Sequence, residues 1–105
     1  MGEGPVLTSI IVACELRYVA VKRGSVKLTR QVEAVLGAMS VLPLKAGIEL
    51  HYAAIRSILE RKGTPIGAHD MLIAAHARSI DAVCVTGNAA EFRRVPGLKV
   101  ENWLA

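Results

Sequence analysis

Residues 67–78, GAHDMLIAAHAR, form the segment that most constrains the fold of this chain. Glycine and proline residues precede it and favour a loop, so a helix is predicted to begin near Ala68. Asp70 then lies in the first turn, where free backbone N–H groups and the helix dipole favour a carboxylate. Residues 71–75 are apolar on all sides, which predicts a buried helix. An acid there is either an ordinary helix-start residue or part of a functional site, and a second such acid, Glu15, gives weight to the latter.

Glu15 lies in an apolar context far upstream. Residues 6–11, VLTSII, are predicted to form a strand, and residues 12–23, VACELRYVAVKR, a helix. Ile11, Glu15 and Val19 share a helical face at i, i+4 spacing, so Glu15 would be the only acid on an apolar stripe. A buried carboxylate must reach water, meet a cation or take up a proton. A structural salt bridge and metal ligation are equally supported for it.

The remaining segments alternate between helical and strand patterns, which predicts an α/β fold with a parallel sheet. Ser25 is the predicted N-cap of the second helix. The strand at residues 82–86, AVCVT, is continuously apolar and is predicted to be central and parallel. Further strands are predicted at residues 41–44 and 98–103, and further helices at residues 25–39, 45–63 and 89–94, with apolar stripes at Leu28, Val32, Val35 and Met39 and at Ile48, Tyr52, Ile55 and Leu59.

Three polar side chains are candidates for one site. In open α/β sheets the site lies beyond the carboxyl ends of the strands. Glu15 follows the first strand, Asp70 opens a helix and Asn88 follows the strand at residues 82–86, so all three can meet at that edge. Oxygen ligands without Cys or His suit Mg²⁺ or Mn²⁺ rather than zinc. The histidines lack a familiar zinc spacing, and His69 is expected to face solvent from a loop.

Composition bounds the class of protein. A chain of 105 residues is expected to form one domain, residues 1–105. Apolar residues make up 52%, and no apolar run reaches the roughly 18 residues of a membrane-spanning helix. The start shows no signal-peptide pattern, and Cys14 and Cys84 are predicted to be reduced core residues of a cytoplasmic protein. A net charge of +4 is compatible with a polyanionic partner, although many basic domains bind no nucleic acid.

Four blocks of the chain resemble successive motifs of the VapC-type toxins, which are PIN-domain ribonucleases. They are TSIIVACELRY, TPIGAHDMLIAAHAR, VTGNAAEF and RVPGLKVENWL, and they span nearly the whole chain in order. The resemblance implies a three-layer α/β/α PIN-like fold with a parallel sheet. It also implies an endoribonuclease that depends on Mg²⁺ (or Mn²⁺), cuts RNA, forms a homodimer and is held inactive by a cognate antitoxin protein.

The resemblance also assigns residues. By position, Glu15 and Asp70 take the places of two family acids, and Asn88 takes the fourth ligand position, which in this family is Asp or Asn. Thr86 matches a small hydroxyl residue that helps orient that group. Val12 departs from the family pattern where a Thr helix cap is common, and His69 departs where an Asn is typical beside the acid.

The family's opening block, a strand ending in an Asp-Thr-Asn-like turn with the first metal-binding Asp, has no counterpart before Glu15. The resemblance therefore implies an N-terminally truncated domain whose missing first strand would be central in the sheet. Two hypotheses follow: a ribonuclease toxin, or an inactive PIN-fold remnant that keeps an antitoxin-binding or dimerisation surface. An in-frame block of this kind in the coding DNA upstream of Met1 would favour the first.

Overall fold

The computed structural model describes residues 7–86 and 88–102 of the chain. Val6, Gly87 and Trp103, which belong to predicted strand and turn segments, lie outside the described residues. The chain divides into two compact units, Met1–Leu44 (unit 1) and Lys45–Ala105 (unit 2). In chain order the elements are β1 (Leu7–Ser9), α1 (Ile10–Arg23), α2 (Val26–Gly37), β2 (Ser40–Leu42), α3 (Ile48–Arg61), α4 (Ala68–Ser79), β3 (Val83–Val85), α5 (Ala89–Phe92) and β4 (Lys99–Glu101).

In unit 1, the short strand β1 turns directly into α1. β1 pairs with β2 in parallel, with Leu7 opposite Ser40. The Ser9 hydroxyl accepts a hydrogen bond from the Ile11 N–H at 3.1 Å and caps the helix. The strand predicted for residues 6–11 therefore ends earlier, because the serine cap starts the helix despite the β-branched residues that follow.

The helices of unit 1 pack around a small core. The Ser25 hydroxyl accepts from the Leu28 N–H at 3.1 Å, which confirms Ser25 as the N-cap of α2. The predicted stripe of α2 is wrong at Val35, which is 45% exposed, whereas Leu36 is buried. The buried residues of this cluster are Ala13, Ala20, Val32 and Leu36.

In unit 2, α3 packs against α4 and carries the predicted stripe. Ile55 and Leu59 are completely buried, and Ile48 lies at the end of the same face. α4 begins at Ala68 as predicted, with Gly67 in the N-cap position. The cluster of buried residues draws on three helices, one strand and a turn: Ile48, Ile55, Leu59, Met71, Ala74, Ala75, Cys84, Phe92 and Val95.

The strand β3 pairs with β4 in parallel, with Val83 opposite Lys99. Only Cys84 of β3 points into the core, while Val83 and Val85 are 42% and 44% exposed. Within residues 7–86 and 88–102 the strands form two separate pairs. The predicted parallel pairing is confirmed, but β3 has a single neighbouring strand there, so its predicted central position is not observed.

Cys84 is buried as predicted, but Cys14 is exposed. The inward face of α1 is set by Ala13 and Ala20, and Cys14 lies about 100° around the helix from Ala13. The prediction of a core residue is therefore wrong for Cys14. Among the described helices, none is both long enough and apolar enough to span a membrane.

Candidate metal and catalytic site

Asp70 lies in the first turn of α4 and is partly buried. Gly67 is the N-cap residue of α4, and a Cβ atom at that position would lie 3.8 Å from the Asp70 Oδ2 atom. The carboxyl group is therefore folded back over the helix start, where free N–H groups and the helix dipole stabilise negative charge.

Glu91, which sequence reasoning did not select, lies beside Asp70. Its Oε1 accepts from the Gly67 N–H at 3.4 Å, and its Oε2 accepts from the Asn88 Nδ2 at 3.0 Å. It also shares a side-chain hydrogen bond with Asp70. One signal was present in the sequence, because Glu91, like Asp70, is an acid in the first turn of a helix.

These contacts lower the pKa of Glu91. The hydrogen bond with Asp70 is the largest cause, and the Asn88 amide, the Gly67 N–H and the positive charge of Arg94 act in the same direction against partial burial. A hydrogen bond between two carboxyl groups requires that one of them carries a proton. Glu91 is the group whose ionised form these contacts favour.

Thr86 and Asn88 support the pair from the end of β3. The Thr86 Oγ1 accepts a hydrogen bond from the Asn88 backbone N–H at 3.0 Å. This bond holds the segment after β3, and the Asn88 side-chain amide is then directed at Glu91. The predicted site residues Asp70 and Asn88, together with Thr86, are thus brought to Glu91 within unit 2.

Cys84 lies close enough to the Asp70 carboxylate for its negative charge to affect the Cys84 thiol. Burial, followed by the negative charge of Asp70, raises the pKa of the Cys84 thiol to about 11. A thiol of this kind is almost entirely protonated near neutral pH and is a poor nucleophile. Cys84 therefore serves as a core residue beneath the site.

The sequence predicted that Glu15 lies on a buried apolar stripe, and this prediction is wrong. Glu15 is exposed, and Val19 on the same predicted face is 40% exposed. The buried face of α1 passes through Ala13 and Ala20 instead. Glu15 belongs to unit 1, so its meeting with Asp70 and Asn88 at one edge stays a prediction.

His69 is exposed, as expected, but it lies in the first turn of α4 rather than in a loop. Across the described parts of the chain, no group of three or more His, Cys, Asp or Glu side chains is arranged to hold a metal ion.

The donor set fits a hard cation that needs few protein ligands. Asp70 and Glu91 are adjacent carboxyl groups, and Asn88 adds an amide oxygen nearby. Mg²⁺ is commonly bound through one or two carboxylates, with water and substrate phosphates completing its shell.

Comparisons with known proteins identify the family of the chain. The PIN domain family model matches residues 1–98. The "Ribonuclease VapC2" of Rickettsia felis is 38% identical over 97 residues, which cover 90% of this chain and 72% of that protein. The chain belongs to the VapC-type PIN-domain family. The "tRNA(fMet)-specific endonuclease VapC" of Salmonella typhimurium is 43% identical over 72 residues, which cover 69% of this chain and 54% of that relative.

A solved structure gives the same fold for this VapC-type chain. The structure of VapBC2 from Rickettsia felis, bound to a DNA fragment from its promoter, superposes with a TM-score of 0.89 at 35% identity. The superposition covers 96% of this chain and 77% of that one. The α/β fold class expected from the sequence is confirmed as that of a PIN domain.

Proposed function

We propose that this chain is a VapC-type endoribonuclease toxin that cleaves RNA with the help of Mg²⁺ or Mn²⁺. The observation that carries the proposal is the pair of adjacent carboxyl groups, Asp70 and Glu91, in a chain of the PIN-domain family. The names of the relatives, a ribonuclease and an endonuclease, support the reaction class. The proposal treats residues 1–105 as one PIN-like domain.

The residues proposed to hold the cation are Asp70, Glu91 and Asn88 of unit 2 and Glu15 of unit 1. A bound divalent ion neutralises phosphate charge and lowers the pKa of water, which is the chemistry that RNA hydrolysis needs. Asp70 and Glu91 supply anionic oxygens at a helix start that already favours negative charge. Asn88, held by Thr86, keeps Glu91 oriented.

Protons and cations compete for this carboxyl pair. Any proton shared in the hydrogen bond between Asp70 and Glu91 must leave before both groups can act as anionic ligands. Metal affinity is therefore expected to rise with pH across the titration of the pair and then to level off.

The substrate and the partners follow from the family. We take tRNA(fMet) as the first RNA to test, because the Salmonella relative is named for it. A cognate antitoxin and a second copy of the chain are the proposed protein partners. Exposed apolar side chains on α1 and α2, among them Tyr18 and Val21 at 59% and 78%, offer surface for such contacts. Two free cysteines fit a reducing compartment such as the cytoplasm.

The test combines cleavage with metal binding. The purified chain is incubated with tRNA(fMet) in Mg²⁺, in Mn²⁺ and in excess EDTA, alongside Asp70→Asn and Glu91→Gln. Each substitution removes one anionic ligand and is expected to reduce cleavage by more than about 100-fold. Glu60→Gln is the matched control, because Glu60 is an exposed acid of α3 that pairs with Arg56.

Calorimetric titration of Mn²⁺ tests the ligands without reference to activity. Asp70→Ala, Glu91→Ala and Glu15→Ala are each expected to weaken binding well beyond the effect of Glu60→Ala. Undiminished cleavage in EDTA would refute the metal mechanism, and normal Mn²⁺ binding by Glu15→Ala would remove Glu15 from the site.

The second candidate function is an inactive module that binds an antitoxin or dimerises. It is favoured by one observation: among the described residues no cluster of three metal-binding side chains occurs. Absence of Mn²⁺ binding to the unmodified chain, together with tight binding of an antitoxin, would select this candidate over the ribonuclease.

A further inference from the structure

The loop that leads into α4 is tied to the segment around α5 by two hydrogen bonds. The Arg94 Nη1 donates to the Pro65 carbonyl oxygen at 3.2 Å. The Gly67 N–H donates to the Glu91 Oε1 at 3.4 Å. Ile66, between the two tied residues, packs against the core of unit 2. The loop is thus held on both sides of an apolar anchor.

The two bonds hold the end of the loop that leads into α4, beyond the part fixed by the Pro65 ring and by the Thr64 N–H bond to the Leu59 carbonyl. Gly63 has a φ of 70°, which few other residues adopt, and Gly67 has no side chain with which to cap α4. Asp70 follows Gly67 by only three residues. A shift of the loop would therefore move the Asp70 carboxyl group relative to Glu91.

The two hydrogen bonds differ in whether they use an atom of a proposed metal ligand. The bond from Gly67 uses a Glu91 oxygen that is also a proposed metal ligand, and at 3.4 Å it is long for its type. The bond from Arg94 uses a backbone carbonyl and no proposed ligand atom. It can persist unchanged whether or not Glu91 turns towards a cation.

We propose that Arg94 is a positioning residue of the proposed ribonuclease, which fixes the loop at Pro65 so that Asp70 and Glu91 face the same ion. The inference rests on the proposed function for its effect on catalysis. The tether itself stands on the geometry of unit 2 alone.

The charge of Arg94 is consistent with this position. Hydrogen bonding with Asp70 is the main cause of the lowered pKa of Glu91, and the nearby positive charge of Arg94 contributes to it. Arg93 is an exposed arginine at the neighbouring position. It offers a matched control for the loss of one positive charge.

The experiment compares Arg94→Met, Arg94→Lys and Arg93→Met in the full chain. Amide hydrogen exchange is measured first in the metal-free protein, and single-turnover cleavage of tRNA(fMet) is measured at saturating Mg²⁺. Arg94→Met is expected to speed exchange at Gly67 and Met71, whose N–H groups donate to Glu91 and to the Gly67 carbonyl. It is also expected to reduce the maximal cleavage rate by about tenfold, because small misplacements of reacting groups are costly.

Three features distinguish positioning from other roles. The KM for RNA should stay within about twofold of the wild-type value, since Arg94 is not assigned a phosphate contact. Arg94→Lys, which keeps a charged donor, should recover most of the rate and most of the protection from exchange. Arg93→Met should match the unmodified chain in both measurements.

Equal exchange in Arg94→Met and Arg93→Met would overturn the tether. A loss that appears as a raised KM with a shallower salt dependence would overturn positioning in favour of an RNA phosphate contact. An unmodified chain that cleaves no RNA would overturn the proposed function and the catalytic part of the inference, and the exchange comparison would still decide the tether.

Discussion

Unit 1 and unit 2 each contain two helices of 12 to 14 residues, but the side chains of these helices are buried to different degrees. Among the residues that the structure describes, the core cluster of unit 1 has four buried members, two of them alanines, whereas that of unit 2 has nine and includes the completely buried Ile55 and Leu59. A fully buried Leu or Ile side chain contributes about 1.5–3 kcal/mol, and an alanine much less. Apolar burial therefore stabilises unit 2 more than it stabilises unit 1.

Among the described residues, the helices of unit 1 expose more large apolar side chains than the helices of unit 2 do. Several large apolar side chains of α1 and α2 are exposed, namely Ile10, Tyr18, Val19, Val21, Val26 and Val35. On α3 and α4 the one such residue among those described is Leu50. The difference teaches that apolar composition alone does not locate a core. The helix α1 of unit 1 is as apolar as the helices of unit 2, but its apolar residues do not converge on one face.

Two leucines provide the largest test of this contrast. Leu59→Ala removes a completely buried side chain from the large cluster, and Leu36→Ala removes one that is 6% exposed from the small cluster. We expect Leu59→Ala to lower the free energy of unfolding by about 3–5 kcal/mol and Leu36→Ala by about 2 kcal/mol, because the smaller cluster around Leu36 collapses more easily around the cavity. Urea unfolding followed by circular dichroism measures both.

Leu50→Ala is the control for these two variants, since Leu50 is 71% exposed on the same helix as Leu59. Its effect should stay within about 0.5 kcal/mol. A greater loss for Leu36→Ala than for Leu59→Ala would break the proposed difference between the two cores.

The cysteines give the next largest effect, one in each unit. Cys14 is exposed, and burial raises the pKa of the Cys84 thiol to about 11. Only the thiolate reacts with disulfide reagents, so at pH 8 we expect Cys84 to react at least about 100-fold more slowly than Cys14. Stopped-flow measurement with a chromogenic disulfide gives both phases.

The assignment of the two phases is checked with Cys14→Ser and with urea. Cys14→Ser should abolish the fast phase, and unfolding should merge the two phases into one. Two equally fast phases in the folded chain would show that the core of unit 2 opens readily.

The sequence predicted the helices of unit 2 better than those of unit 1. In unit 2, the stripe of α3 and the start of α4 at Ala68 were predicted, because strong helical periodicity and a glycine-rich loop mark them. In unit 1, Val35, Cys14 and Glu15 were each placed on a buried face that the structure does not form. A helix that is apolar on several sides leaves its inward face undetermined until its packing partner is known.

The candidate site was readable only in part, for a related reason. Asp70 was selected because it precedes a long apolar run, Asn88 because it follows a predicted strand, and Thr86 through family resemblance. Glu91 was overlooked because α5 spans only four residues, Ala89–Phe92, and shows no periodicity. Its relation to Asp70 depends on how the 64–67 loop folds, which is a tertiary contact that local patterns do not encode.

A smaller effect is expected from the buried histidine of unit 2. Burial lowers the pKa of His76 in the folded chain below its usual value. The unfolded chain then binds more protons, so stability is lost as pH falls from about 6.5 through the folded-state pKa and is fully present above that range. Urea unfolding between pH 5 and pH 8 measures the slope.

His76→Gln should flatten this part of the pH profile. The change in the free energy of unfolding that it removes should be smaller than the loss caused by Leu59→Ala or by Leu36→Ala. His69→Gln is the control, because His69 is exposed on the same helix and should leave the slope unchanged. A slope that survives His76→Gln would assign the pH dependence to another group.

The smallest effect distinguishes the ion pairs of the two units. In unit 1, the Arg17 guanidinium donates to both carboxylate oxygens of Glu33 and so joins α1 to α2. In unit 2, the Arg56 Nε donates to Glu60 at 2.9 Å within the single helix α3. Both pairs are exposed, and such pairs are weakened by water, side-chain entropy and salt.

Because its two-point contact joins helices around a small core, we expect Arg17→Ala to lower the urea midpoint slightly more than Arg56→Ala does. In 1 M salt the difference should vanish, since both pairs are then screened. A loss in Arg17→Ala that is equal at low and high salt would have another origin: the methylene groups of Arg17 covering the apolar surface of unit 1. In that case the small core of unit 1 would extend under its charged side chains, and its contrast with unit 2 would be one of exposure rather than of size.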